Sequence, residues 1–64
     1  MSYKFTLDRA LPKYLSDTAD IKSFTEESGQ FIYNINFSTT IEYDEFCEVV
    51  YSILDISGSV ESVA

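Results

Sequence analysis

Residues 39–54 read TTIEYDEFCEVVYSIL, and this stretch decides the fold because its apolar side chains recur with a helical period. They fall three or four residues apart, which places them on one stripe of an α-helix. Thr39 and Glu42 have the spacing of a capping box, and Ser57 with Gly58 supplies a stop signal. We therefore predict an amphipathic helix over about 42–55. Its apolar stripe comprises Tyr43, Phe46, Cys47, Val50, Ile53 and Leu54.

The residues before this helix predict strands. Residues 2–8 alternate polar and apolar side chains, which is typical of a half-buried strand. Residues 21–26 and 30–38 flank a short connector that ends at Gly29, so we predict a hairpin there. A helix over 19–28 that ends at Gly29 is the alternative.

The whole chain, 1–64, is expected to form a single small acidic domain of the α+β class. In this fold a small antiparallel sheet of about three strands packs on one C-terminal amphipathic helix. Residues 59–64 are expected to be a frayed tail. The chain has one cysteine, no signal-peptide pattern and no long apolar span, which predicts a cytoplasmic protein, in the host cytoplasm if it is viral.

The charge is strongly negative and unevenly distributed. The formal net charge is −7, and all four basic residues lie within the first 22 positions, whereas eight acidic residues follow with no basic residue among them. Nucleic acids and anionic membranes need cationic contacts, so we expect direct binding to neither. A charged partner should instead present a basic protein surface.

A helical wheel collects these acids on the side opposite the apolar stripe. The predicted partner-binding residues are Asp44, Glu45, Glu48, Tyr51 and Asp55. Asp44 and Glu48 form a like-charge pair one turn apart, and Asp55 would lie near the negative end of the helix dipole. A solvated outer face explains most acidic helices, but both features cost stability, which supports the alternative that this face has a function.

Catalytic and metal sites have little support in this composition. Histidine is absent, Cys47 lies on the apolar stripe, and neither glycine belongs to a phosphate-binding loop. We therefore expect no enzymatic activity, no catalytic residue, no bound metal and no cofactor.

Two functional hypotheses follow. In the first, the protein is an inhibitor or regulator whose acidic helix face docks on a basic nucleic-acid-handling protein. In size and acidity the chain resembles the class of phage-encoded inhibitors of host defence or host nucleic-acid enzymes. That resemblance implies a nucleic-acid mimic acting against host defence, transcription or replication. In the second, it is a non-enzymatic accessory or structural subunit, as a homodimer or larger homo-oligomer, which Ile32 on the polar strand face favours.

Overall fold

A computed structural model describes residues 1–63 as one sheet with helical segments on one of its faces. The α+β class is thus confirmed. The strands are β1 (Ser2–Leu7), β2 (Asp20–Glu27), β3 (Gln30–Asn36) and β4 (Gly58–Val63). The helical segments are α1 (Lys13–Ser16), α2 (Thr40–Cys47) and a π-helical segment (Glu48–Ile53) that continues α2 without a break.

The sheet is antiparallel, with strand order β2-β3-β1-β4. β1 therefore lies inside the sheet and pairs with β3 on one side and β4 on the other. Phe5 and Leu7 are buried on its helix-facing side, while Lys4 and Thr6 lie on the open side. The strand predicted over 2–8 is confirmed, and its alternation arises because only one face of the sheet is covered.

The predicted hairpin is also confirmed, and the alternative helix over 19–28 is wrong. β2 and β3 are joined by Ser28 and Gly29, both with positive φ (51° and 77°), as a two-residue type I′ turn requires. A register shift between Ile21 and Ser23 marks a bulge in β2. Because of this bulge, Ile21 and Phe24 both lie on the helix-facing side although they are three residues apart.

The predicted helix occupies α2 and the π segment, and its N-terminus follows the capping pattern. The backbone N–H of Glu42 donates to Thr39 Oγ1 at 3.1 Å, and Glu42 Oε1 accepts from the Ser38 N–H at 3.0 Å. Beyond Cys47 the hydrogen bonds widen, since the Leu54 N–H donates to the Val49 carbonyl five residues back. Each residue of a π-helix turns through a smaller angle than in an α-helix. A wheel drawn for an α-helix therefore assigns the side chains after Glu48 to the wrong directions.

The frayed tail predicted over 59–64 is wrong for the part of it that the structure describes. β4 pairs along the whole of β1, from Ser2 opposite Val63 to Leu7 opposite Gly58. Val60 lies opposite Phe5 and packs against the core. The helix is therefore followed by a fourth strand.

The core lies between the sheet and the helix and is rich in aromatic rings. Phe5 is fully buried, with its ring 5.3 Å from Phe46 and 6.3 Å from Phe37. The buried Leu11 N–H donates to the Tyr33 hydroxyl at 3.0 Å, which ties the segment before α1 to β3. The buried residues are Phe5, Leu7, Leu11, Tyr33, Ile35, Phe37, Val50 and Ile56.

Candidate protein-docking site

Three acidic residues of the helix lie together on its solvent side, as predicted. Asp44, Glu45 and Glu48 are all exposed and will be called the helix carboxylates. Glu48 follows Glu45 by three positions and Asp44 by four, and helix residues at these spacings are neighbours on the same surface. This part of the predicted partner-binding set is brought together by the fold.

No cation within residues 1–63 forms a salt bridge with the helix carboxylates. The four basic residues each lie within 4 Å of a different acid at an exposed site, and none of these acids is a helix carboxylate. These ion pairs are Lys4–Glu61, Arg9–Asp8, Lys13–Asp17 and Lys22–Asp20. The negative charge of the outer helix surface is therefore uncompensated within the described chain, and it is available to an outside cation.

Tyr51 does not belong to this surface, which corrects the prediction. Its side chain is half-buried, packs against the core and places its hydroxyl where no protein group within residues 1–63 bonds to it. Burial raises the pKa of Tyr51. The smaller rotation per residue in the π segment turns Tyr51 inward, and the same shift moves Ile53 outward to 68% exposure.

Asp55 is exposed but lies beyond the helix, where its conformation has a structural purpose. Its φ is 55°, the left-handed conformation that commonly ends a helix and that Asp tolerates better than most residues. The next N–H, of Ile56, then donates to the Val50 carbonyl at 3.0 Å. Asp55 therefore terminates the helix, and its place in the sequence does not by itself indicate binding.

Arg9 supplies the cation that the sequence of the helix lacks. Its Nη2 donates to the Leu54 carbonyl at 3.0 Å and also to the Asp55 carbonyl. A guanidinium at the C-terminal end of a helix is favourable because it neutralises the negative end of the dipole. Replacing Asp55 by lysine would therefore place a second cation beside Arg9, where the two positive charges repel each other.

We expect Asp55→Gly to raise stability by about 0.5–1 kcal/mol, because glycine adopts positive φ without a Cβ penalty. Asp55→Lys should instead lower stability, since it keeps the penalty and adds repulsion with Arg9. Urea unfolding followed by circular dichroism measures both changes. Equal stability of the two variants would contradict this account of the helix end.

A groove of about 470 Å³ lies beside the helix carboxylates, between α2 and the start of β2. Its apolar lining includes Ala19, Phe37, Phe46 and Val49, and its acidic lining consists of Asp20, Glu42 and Glu45. Glu45 is thus both a helix carboxylate and a groove residue. Sequence reasoning missed the groove because it brings together segments that are distant along the chain.

The three groove carboxylates differ in their partners. Asp20 pairs with Lys22 at 3.2 Å and accepts from the Asn36 amide at 3.3 Å, and these two bonds hold its pKa below the ordinary value. Glu42 accepts the capping bond from Ser38. Glu45 makes no side-chain hydrogen bond or ion pair within residues 1–63, so it is the acceptor that a ligand can use.

The cysteine and the tyrosines of the helix lie on its inner side. Burial raises the pKa of the Cys47 thiol, which keeps it protonated and weakly nucleophilic at neutral pH. Burial likewise raises the pKa of Tyr43 to about 12, and its ring stacks on Tyr3 with centroids 3.8 Å apart. These groups stabilise the contact between helix and sheet.

Within residues 1–63, no three Cys, Asp or Glu side chains are grouped in a way that could hold a metal ion. No helix in this part of the chain is both long and apolar enough to cross a membrane. No family model, curated protein or solved structure matches the chain. A functional assignment therefore depends on the surface chemistry just described.

Proposed function

We propose that this protein is a non-enzymatic inhibitor or regulator that docks its helix carboxylates on a basic surface of a nucleic-acid-handling protein. One observation carries the proposal. Asp44, Glu45 and Glu48 are all exposed without an ion-pair partner in residues 1–63, while every basic residue of the chain is paired elsewhere. These carboxylates are therefore free to form ion pairs with the cations of another protein.

Docking of this kind would compete with nucleic acid, because the partner's cationic surface is the one that binds phosphates. Carboxylates four residues apart on a helix, such as those of Asp44 and Glu48, stand about 6 Å apart along its axis, a spacing roughly comparable to that of phosphates on a nucleic-acid strand. Charge complementarity would also speed association at low salt. The setting that fits this role is the cytoplasm, and for a phage product the cytoplasm of its host.

The homo-oligomeric accessory subunit receives less support from the sheet. The face of the sheet away from the helix carries mainly polar side chains, including Lys4, Asn34 and Glu61, and its apolar members Ile32 and Val63 are only half-buried. A stable dimer through this face would have to desolvate these polar groups. We therefore favour the docking function.

Charge reversal at two helix carboxylates tests the proposal. We expect Asp44→Lys with Glu48→Lys to weaken partner binding on the order of 100-fold, because like charges facing each other across an interface cost several kcal/mol. The fold should be retained within about 0.5 kcal/mol, since both side chains are exposed. Capture from a bacterial lysate at low and high salt, followed by titration of the purified partner, measures the effect.

The matched control reverses Glu26 and Glu27, which are exposed beside the hairpin turn. Each reversal adds two positive charges, so both double variants change the net charge from −7 to −3. The hairpin variant should bind nearly as well as the wild type. If the two double variants bind equally, the position of the charges on the helix has no role and the proposal is wrong.

A further inference from the structure

The groove beside the helix exists because the sheet is wider than the helical layer above it. β2 is one of the two edge strands, and its helix-facing Phe24 remains 49% exposed. At the start of β2, the segment from Thr18 to Asp20 stands apart from α2 and leaves the groove open to solvent. Part of the sheet edge is therefore uncovered next to the helix carboxylates.

The floor and the rim of the groove have different chemistry. Phe46 and Val49 contribute apolar surface from the helical layer, and Phe37 contributes the floor between β3 and α2. Asp20, Glu42 and Glu45 place three carboxylates around this apolar surface. A long side chain with an apolar stem and a cationic head matches both parts at once.

We propose that this groove receives one arginine side chain of the basic partner, an inference that rests on the docking function proposed above. The planar guanidinium can pack on the Phe46 ring and bond to Glu45 through two N–H groups. Glu45 is the carboxylate suited to this role, because Asp20 and Glu42 already accept bonds from the protein. Those two acids add negative potential to the rim.

A second copy of this chain does not fit as the occupant. Its one arginine, Arg9, is engaged at the C-terminal end of the helix, and Lys4, Lys13 and Lys22 are ion-paired. Two copies would also each carry a net charge of −7. The charge of the groove thus favours a different protein that is basic.

The direct test is an NMR titration of the ¹⁵N-labelled protein with the peptide acetyl-Gly-Arg-Gly-amide at about 0.15 M salt, where long-range charge effects are screened. We expect saturable shift changes at Ala19, Glu45 and Val49. Peptides with citrulline or lysine in place of arginine should bind at least about tenfold more weakly, because citrulline lacks the charge and lysine lacks the planar donor pair. Equal binding of either peptide would overturn the assignment to arginine.

A pair of neutral substitutions separates the groove from the charge around it. Val49→Phe fills the groove without changing charge, and Ile53→Phe introduces the same ring at an exposed position that does not line it. We expect the first variant to lose peptide binding by about tenfold or more and the second to keep it. Retained peptide binding in Val49→Phe, with the fold intact by circular dichroism, would show that the groove is not the site.

The same variants distinguish failure of this inference from failure of the docking function. If Val49→Phe binds the purified partner normally while the Asp44 and Glu48 double reversal does not, the groove assignment alone is wrong. If neither variant affects the partner, both proposals are wrong. Loss of partner binding in both variants, with Ile53→Phe unaffected, would support an arginine in the groove.

Discussion

Replacing Gly58 by alanine is expected to destabilise the protein by about 3 kcal/mol and to release β4 from the sheet. A Cβ built at this glycine would lie 2.0 Å from the Thr6 carbonyl oxygen and 2.9 Å from Leu7 Cα. Both atoms belong to the backbone of β1, an inner strand of the sheet, so a rotamer change cannot relieve the clash. Urea unfolding and amide hydrogen exchange along β4 measure the effect.

Gly29→Ala is the matched control for this prediction. Gly29 also has positive φ, at 77°, but an added Cβ there would meet no atom within 4 Å. The control should therefore cost only about 1 kcal/mol, which is the backbone penalty alone. Equal losses at the two glycines would mean that β1 and β4 do not approach as closely as described.

Replacing Phe5 by alanine is expected to cost about 3–5 kcal/mol, the range observed for large-to-small changes at buried aromatic residues. The Phe5 side chain is fully buried and lies against the rings of Phe46 in α2 and Phe37 in the connection between β3 and α2. A chain of this length has a total stability of roughly 3–10 kcal/mol. The variant should therefore lose roughly a third or more of that stability, which is measured as a lower urea midpoint.

Phe46→Ala provides the comparison, because it removes the same ring from a half-buried position. Its cost should be smaller, at about 2 kcal/mol, since less apolar surface leaves the core and solvent can fill the space. Both costs are read from urea unfolding curves. A larger loss at Phe46 than at Phe5 would contradict the arrangement in which β1 forms the centre of the core.

The elements predicted correctly from sequence are those whose signals are local. The alternation in β1 and the capping pair Thr39 and Glu42 depend on neighbours along the chain, and both have the expected structure. The hairpin follows from its turn, but an unbroken two-residue period from Ile21 would have placed Phe24 on the side away from the helix, and the bulge at Lys22 returns it to the helix side. Local patterns therefore identified the α+β class and three of the four strands of the sheet.

The errors arise where a distant part of the chain determines the outcome. Residues 59–63 carry few apolar side chains, and they form a strand because β1 offers an unpaired edge and Phe5 offers a contact for Val60. Tyr51 faces inward because the helix widens, which a uniform wheel does not include. Asp55 is stabilised by Arg9, 46 positions away. None of these partners can be read from the local sequence.

The candidate site was predictable only in part for the same reason. Charge and helical period were enough to group Asp44, Glu45 and Glu48 on one surface. Predicting the groove would have required the position of β2 relative to α2, and that position depends on the strand order and on the bulge. A sequence can thus indicate where charge collects without showing the shape of the surface that carries it.

The inner position of β1 also has a consequence for the speed of folding. The β2–β3 hairpin and the helix are local structures, and such structures form in microseconds. β1 must then find β3 and β4, and its register with β4 joins Ser2 to Val63 across nearly the whole chain. Closing such long loops costs entropy before any contact is gained, so pairing of β1 should limit the rate. Because the hairpin and the helix are already formed when β1 pairs, substitutions that destabilise either of them would slow folding, as would substitutions in β1, whereas contacts that form later would mainly affect the unfolding rate.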